Sequence, residues 1–203
     1  MKNSGRGLVF LAVLAMALAA GCHSDWGHIQ GDGNIESREI YARGFDSVTL
    51  SGAGNVRIRP GAYYRVVVTT DGNIQDIVTI SVNGASLDIG MRARRGATIS
   101  PTRVDIDVYL PELRGISLDG AGNFTVGSGE TPSLEISVRG VGNVYAQDFQ
   151  ARAVDVRLLG VGNVEVWATD ILNGVISGVG SLLYKGNPRL RLDTGVLGRV
   201  RQL

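Results

Sequence analysis

Of all the residues in this sequence, two aspartates separated by one residue have the spacing best suited to a catalytic or cation-binding pair. Asp105 and Asp107 lie in the string VDIDV at 104–108, where apolar residues alternate with them, so both carboxylates project from one face of a predicted strand. Such a pair could bind a cation or act as an acid–base pair. Alternating charges are also typical of the solvated face of an amphipathic strand, which is the interpretation that we favour. The other carboxylates are scattered, whereas a polysaccharide-cleaving enzyme needs several that converge on one groove.

Few other residues could form a catalytic or metal site. The chain has 203 residues with one cysteine and two histidines, His23 and His28, in a short polar segment. These are too few for a zinc site with several Cys or His ligands or for a disulfide framework. No Ser, Cys or Thr nucleophile has an evident histidine partner. We therefore expect no catalytic residues, no metal and no cofactor.

The cysteine lies at the end of an export signal. Lys2 and Arg6 precede an apolar run at 8–18, which is shorter than the ~20 residues of a spanning helix. The run ends in LAAGC at 18–22, which resembles the bacterial lipoprotein box, where cleavage before the cysteine leaves its sulfur to carry a diacylglycerol. The resemblance predicts residues 1–21 as a signal peptide and Cys22 as the lipidation site. Because no Asp follows Cys22, it also implies the outer membrane; an ordinary signal peptide is the alternative.

An octapeptide with the core GxGN recurs along the chain. The copies are SGAGNVRI at 51–58, DGAGNFTV at 119–126, RGVGNVYA at 139–146 and LGVGNVEV at 159–166, with a weaker copy, SGVGSLLY, at 177–184. They hold ten of the 29 glycines, in a chain where glycine is about twice as frequent as the usual ~7%. Between copies, strings such as SLEISVR at 133–139 alternate apolar and polar residues, as half-buried strands do.

This repeat predicts an all-β fold. A unit of ~20 residues cannot bury its apolar face alone, so we expect a right-handed parallel β-helix, or solenoid, with GxGN corners and coils about 4.8 Å apart. Glycine supplies the positive φ or the close approach that a sharp corner needs. The asparagines at the shared motif position should form a hydrogen-bonded ladder from coil to coil: Asn55, Asn123, Asn143 and Asn163. A flat antiparallel sandwich is the rival fold.

One local cluster of charge stands out. Arg92, Arg94 and Arg95 lie in MRARRGATISP, a predicted loop between strands. The cluster could contact an anionic surface, either lipid phosphate or an acidic glycan, although a solvated loop is the simpler interpretation. The formal net charge of the chain is +1, which gives no basis for nucleic-acid binding.

Aromatic residues are scarce, with four Phe, two Trp and six Tyr. Tyr63, Tyr64 and Trp167 could stack on sugars. We expect them instead to cover the core or a sheet edge, because no aromatic platform is evident in the sequence.

The string at 36–90 resembles the head GIN domain family of auto-transporter adhesins. The matching features are the Gly44-Phe45-Asp46 lead-in, the first GxGN corner, the DGN turn at 71–73 and the NG turn at 83–84. The later GxGN copies match the repeated second half of the family, so the resemblance covers about residues 36–200. It implies an exported bacterial protein with a glycine-rich solenoid of parallel strands and suggests adhesion. It implies no catalytic residues.

These observations predict residues 1–21 as a signal peptide, 22–35 as a tether and 36–203 as one β-solenoid domain. The expected function is a lipid-anchored cell-envelope protein with a non-catalytic role in adhesion, surface binding or scaffolding. Its expected partners are the membrane, through the lipid, and a glycan or envelope protein. A carbohydrate-active enzyme on a β-helix is the alternative, and a purely structural spacer is a third possibility. The oligomeric state stays open.

Overall fold

The computed structural model of the chain describes residues 27–92, 95 and 97–203. The predicted signal peptide, Cys22 and Arg94 lie outside the described residues. Within them there are strands, turns and one 3-10 turn at Gly72–Ile74, and no α-helix. The strands are β1 (His28–Gln30), β2 (Ile35–Ile40), β3 (Ser47–Leu50), β4 (Ala53–Pro60), β5 (Arg65–Asp71), β6 (Val78–Asn83), β7 (Ser86–Met91), β8 (Thr98–Ser100), β9 (Val104–Leu110), β10 (Gly115–Leu118), β11 (Ala121–Val126), β12 (Gly129–Val138), β13 (Val141–Leu158), β14 (Val161–Ile176), β15 (Val179–Lys185), β16 (Arg189–Thr194) and β17 (Gly198–Gln202).

Fifteen of these strands form one sheet, and β1 with β8 forms a separate pair. The GxGN copies pair with one another in parallel and in matching register: Asn123 lies beside Asn55 on one side and beside Asn143 on the other. The strands that precede the corners, β3, β10 and β12, are parallel neighbours as well. The all-β class is therefore confirmed, and the parallel pairing rules out the antiparallel sandwich for the repeated part.

The first part of the chain departs from this regularity. β5 is antiparallel to both β2 and β9, and β6 is antiparallel to β7. These strands lie outside the parallel-paired units of strand, corner and strand, which we call coils and together the stack. Their antiparallel pairing covers one end of this stack. At the other end, β16 pairs only with β14 and β17 only with β15.

The corner glycines have two distinct physical roles. At Gly120, a Cβ atom would lie 1.8 Å from the carbonyl oxygen of Gly52 in the neighbouring coil, so only glycine permits the observed approach. At Gly122 the backbone also has φ +151°, and a Cβ atom would lie 1.7 Å from the Gly54 oxygen. The same two contacts recur along the row of corners, which explains why the motif keeps both glycines.

The core lies between the strands that precede and those that follow each corner. Inward positions alternate with outward ones along every coil, so equivalent apolar residues stack from coil to coil, such as Ile116 on Val48 and Val144 on Phe124. Phe45, Phe124 and Phe149 are the largest fully buried side chains. A single isolated coil would expose its apolar residues to water, so each coil gains most of its stability from packing against its neighbours.

Part of the segment predicted as a tether lies within the fold. Residues 28–30 form β1, which pairs with β8, and Gly31 donates its backbone N–H to the oxygen of Ser100 at 2.9 Å. The buried carboxylate of Asp71 accepts the backbone N–H of Gly33 at 2.9 Å and that of Thr102 at 2.8 Å. The polar string here lacks apolar alternation, and its order comes from partners that are distant in sequence.

Candidate functional site

A cleft of about 500 Å³ opens at the edge of the stack opposite the glycine corners. It is lined by Tyr41 and Arg43, which follow β2, and by Tyr63 and Tyr64, in the turn between β4 and β5. Because β2 and β5 run side by side in opposite directions, the end of one meets the start of the other, which brings the two segments together. The volume is that of a small-molecule site, ~300–1,000 Å³.

The tyrosine rings in this cleft are exposed, yet each has a partner. Tyr41 is 80% exposed, Tyr63 56% and Tyr64 38%, so the first two rings are mostly open to solvent, whereas Tyr64 partly covers the core, as expected. Tyr63 stacks on Tyr109 with ring centroids 5.8 Å apart, and Tyr64 packs against the buried Phe45 at 5.0 Å. Exposed rings held in place by other rings form a ready platform, since little side-chain freedom is lost when a ligand packs on them.

Charged groups surround the platform. The guanidinium of Arg43 lies 4.3 Å from the ring centroid of Tyr41, a cation–π contact. Arg65 donates from Nε to Glu39 Oε2 at 3.0 Å, and both residues line the cleft. The site thus combines apolar ring faces with cationic donors and one carboxylate acceptor, a set suited to a ligand with apolar faces and hydroxyl edges.

The predicted aspartate pair occupies a different place, on the outward side of β4 and β9. Asp107 accepts two hydrogen bonds from Arg57, at 3.0 and 3.2 Å, and two from Arg59, at 2.9 and 3.3 Å. Asp105 is only 5% exposed and is paired with Arg103 and Arg57. The expectation of a solvated strand face is therefore wrong: these carboxylates are largely buried and ion-paired.

The hydrogen bonds from Arg57, opposed in part by burial and assisted by Arg59, lower the pKa of Asp107 below its ordinary value. The same contacts raise the pKa of Arg57. A carboxylate with a lowered pKa is a weak base and is not protonated at neutral pH, so Asp107 is poorly suited to acid–base catalysis. The cluster stabilises the junction of β4 and β9 by charge-assisted hydrogen bonds.

The asparagines of the GxGN motif lie in one row beside this cluster. The Nδ2 atom of Asn123 donates to Asn55 Oδ1 at 3.0 Å, that of Asn143 to Asn123 Oδ1 at 2.9 Å, and that of Asn163 to Asn143 Oδ1 at 3.1 Å. Asn55 in turn donates to Asp105 Oδ1 at 3.3 Å. All the amides therefore point in the same direction, toward the buried carboxylate.

The remaining predicted site residues lie elsewhere. Arg92 and Arg95 are exposed and lie in the connection between β7 and β8, away from the tyrosine cleft. Trp167 lies at intermediate burial in β14. Across residues 27–92, 95 and 97–203, no cluster of three or more His, Cys, Asp or Glu side chains could hold a metal ion. In the same residues no helix is both long and apolar enough to cross a bilayer.

Sequence reasoning missed Tyr41 and Arg43. They stand in IYARGFD, directly after a strand, where an aromatic residue and a cation next to a glycine could have been noticed. Nothing in the local sequence links them to Tyr63 and Tyr64, because the two segments meet only through the antiparallel pairing of β2 with β5.

A solved structure with a TM-score above 0.5 has the same fold. A putative adhesin from Bacteroides fragilis NCTC 9343 matches with a TM-score of 0.53 and 20% identity over 86% of this chain and 100% of that one. A putative lipid binding protein from Parabacteroides distasonis ATCC 8503 has a TM-score of 0.47 and 21% identity over 87% and 99% of the two chains. A putative cell adhesion protein from Clostridium sporogenes ATCC 15579 has a TM-score of 0.45 and 13% identity over 83% and 98%.

Among curated proteins, none matches this sequence. A family model described as "putative auto-transporter adhesin, head GIN domain" matches twice, at residues 44–128 and 118–188. The two matches overlap at the second GxGN copy and together span most of the parallel stack. They include Tyr63 and Tyr64 of the cleft, whereas Tyr41, Arg43 and β2 lie before residue 44. The chain therefore belongs to the family of auto-transporter adhesin head GIN domains.

Proposed function

We propose that this chain is a lipid-anchored protein of the bacterial cell envelope that binds glycans without chemical conversion, as an adhesin does. The observation that carries this proposal is the tyrosine cleft, where three exposed tyrosine rings, two of them packed on other rings, lie beside Arg43 and the Glu39–Arg65 pair. Family membership supports adhesion as the setting.

Sugars fit this chemistry better than other small ligands do. A pyranose ring has an apolar face of C–H groups that packs on an aromatic ring, and its edge carries hydroxyls that both donate and accept. The exposed rings of Tyr41 and Tyr63 supply the flat apolar surfaces. Glu39 accepts and Arg43 donates, so both kinds of hydrogen bond are available at the rim.

The head would be a single β-solenoid spanning residues 36–203. Its unit of strand, glycine corner and strand repeats in parallel, and connections between parallel strands of one sheet are right-handed in about 98% of cases. This supports a right-handed parallel β-helix of short coils, extended by β1 and by the antiparallel strands at its first end. A stack of this kind is rigid and presents the cleft at a fixed place.

The anchor would be a diacylglycerol on Cys22 after removal of residues 1–21, with the outer membrane as its destination. The LAAGC string supports this arrangement. Cys22→Ala should move the protein from the membrane fraction to the soluble fraction and abolish metabolic labelling with a palmitate analogue. Absence of label from the wild type, or label that persists in Cys22→Ala, would contradict lipidation at Cys22, and retention of the variant in the membrane would contradict the lipid as the anchor.

Glycan binding can be tested on arrays of bacterial and host polysaccharides. We expect Tyr41→Ala and Tyr63→Ala each to weaken binding to any glycan that the wild type retains by at least about tenfold, the loss of one buried aromatic contact. Tyr145→Ala is the matched control, because Tyr145 lies in β13, outside the cleft. Equal binding by all three variants would contradict a role for the cleft, and no retention of the wild type on any glycan would contradict glycan binding.

The convergence of Arg57, Arg59 and Arg103 on Asp105 and Asp107 is the observation that favours the alternative, a carbohydrate-active enzyme. Cleavage of acidic polysaccharides, followed by reducing ends or by ultraviolet absorbance of unsaturated products, would support it if Asp107→Asn abolished the activity. We expect no cleavage, because both carboxylates are occupied by guanidinium groups.

A further inference from the structure

The glycine-corner edge carries a row of exposed apolar side chains. The residue between the two glycines of each motif points outward, and in the last three copies it is Val141, Val161 and Val179. Leu197 lies beside Val179 and continues the row. These four side chains, here called the corner ridge, are 46–62% exposed. Neighbouring coils lie about 4.8 Å apart, so the ridge extends roughly 14 Å along the stack. Contiguous exposed apolar residues are typical of an interaction surface.

The chain enters the fold at the same edge. The strands on either side of the connection between β7 and β9 meet the corner, since Met91 at the end of β7 contacts Gly52 and Val104 at the start of β9 contacts Gly54. β8 belongs to this connection and pairs with β1, and a Cβ on Gly27 would lie 3.8 Å from that of Ala97. Gly27 is five residues after Cys22. An extended chain spans at most ~3.6 Å per residue, so a lipid on Cys22 would hold this edge within about 18 Å of a bilayer.

The charges at this edge suit an anionic lipid surface. Arg92 and Arg95 are exposed on the connection beside the entry point. Asp119, beside the corners, is paired with Arg139 at 2.9 Å, so its charge is compensated, and Asp32 is an exposed acidic residue near the entry point. Basic side chains near an anionic bilayer and apolar side chains in its interface act together, because the first attract the protein and the second insert.

We propose that the corner ridge, together with Arg92 and Arg95, lies on the anionic lipid surface, with the long axis of the stack parallel to the bilayer. The proposal rests on the lipid anchor of the proposed function. It determines the orientation of the tyrosine cleft as well. β2 runs from the corner edge, at Ile35, to the cleft, at Ile40. Six residues of strand span about 20 Å, so the cleft faces away from the bilayer.

Single cysteines test this orientation in the full chain. Val161→Cys places a thiol on the ridge, where Ala53 and Ala121 hold the equivalent positions and show that a small residue is accepted. Ser128→Cys is the matched control, an isosteric change at an exposed turn just after the far end of β11. Broken membranes would be treated with a membrane-impermeant maleimide before and after detergent. Wild type should not react, because its only thiol is acylated.

We expect the thiol of Val161→Cys to react at least about tenfold more slowly in membranes than in detergent, since a thiol in the lipid interface is shielded from an aqueous reagent. The thiol of Ser128→Cys should react equally in both. Equal reaction of the two variants in membranes, with the protein in the membrane fraction, would overturn the orientation while leaving the anchor intact.

Two further outcomes would count against the proposal. Protection of position 161 that persists in detergent would point to a protein partner or second copy and would overturn the orientation. Absence from the membrane fraction, or reaction of Cys22 in wild type, would overturn the anchor and the orientation with it. Val141→Cys repeats the test should Val161→Cys fail to fold.

Discussion

The two edges of the stack differ in how strictly neighbouring coils determine their residues. At the corner edge each coil places two glycines and an amide directly on those of the previous coil, with backbone atoms in contact. At the opposite edge the connections differ: a turn with two tyrosines at 61–64, a short turn at 127–128, and continuous strand in β13 and β14. The corner edge is therefore constrained by packing, whereas the opposite edge is free to vary and carries the candidate binding cleft.

The largest effect is expected at a corner glycine. Gly142→Ala would place a Cβ atom 1.6 Å from the Gly122 oxygen at φ +147°, so the two coils would have to separate. We expect a loss of more than about 4 kcal/mol in the free energy of unfolding, measured by urea denaturation. Gly84→Ala is the control: it has φ +60° but no atom within 4 Å, so it should cost only about 1–2 kcal/mol. Similar losses in both would show that coil contact is not the constraint.

The next effect is expected in the asparagine row. Asn143 accepts the backbone N–H of Asn163 at 3.0 Å and its amide at 3.1 Å, and donates to Asn123. Asn143→Ala leaves these groups unpaired and should cost about 2 kcal/mol. Asn163→Ala should cost about half as much, because only the Nδ2 bond to Asn143 is lost, the backbone N–H of residue 163 still donates, and Ser181 follows in the row. Urea denaturation of both variants checks the order, and a larger loss at Asn163 would contradict a continuous row.

The third prediction concerns acid stability at the first end of the stack. Hydrogen bonds from Arg57 lower the pKa of Asp107 despite burial. At Asp71, burial alone would raise the pKa, but donation from Thr102 and from the backbone of Gly33 and Arg103 lowers it. Because both folded values lie below the ordinary 3.8, this stabilisation is present above pH 3.8 and is lost as the pH falls through the folded values.

Asp107→Asn should therefore cost about 1–2 kcal/mol at neutral pH, and the difference from wild type should shrink below pH 4. Asp76→Asn, at a side chain that is 96% exposed, is the control and should change little at any pH. Urea denaturation at a series of pH values measures both. A constant difference for Asp107→Asn between neutral and acidic pH would show that its charge is not the source of the stabilisation.

The smallest effect on stability is expected at the cleft. Tyr41→Ala should alter the free energy of unfolding by no more than about 0.5 kcal/mol, because the Tyr41 ring is 80% exposed and packs on no buried side chain. Thermal unfolding measures this change. Weak effects on stability combined with a strong effect on glycan binding would set the two edges apart most clearly. A loss comparable with that at Gly142 would mean that Tyr41 is part of the scaffold.

The sequence alone predicts the parallel register well. Where the backbones of neighbouring coils are in contact, each coil must have glycine at the same position. The positions of GxGN in the sequence therefore predict which residues pair between strands. The same reasoning fails for the first end of the stack, because β2, β5 and β6 lack the motif and pair with partners that no local pattern identifies. It also fails for the aspartates, since Arg57 is 50 residues away from Asp107 along the chain.

The cleft illustrates the same limit. Tyr63 and Tyr64 are visible as a pair in the sequence, but their exposure depends on where the chain turns after Pro60. Residues 28–35 look like a linker because their order arises from Asp71 and Ser100, not from an apolar pattern of their own.

The common direction of the asparagine amides gives the stack a polarity. Each asparagine amide donates to the residue before it in the row, from Asn163 back to Asp105. The row therefore begins at a carboxylate and its last asparagine is Asn163. A unit of about 20 residues inserted after Asn143 would receive and return the same bonds. We expect the distance between the two ends of the molecule to change in whole steps of about 4.8 Å, with neither end altered. Insertion or removal of whole repeats should therefore set the length of the stack.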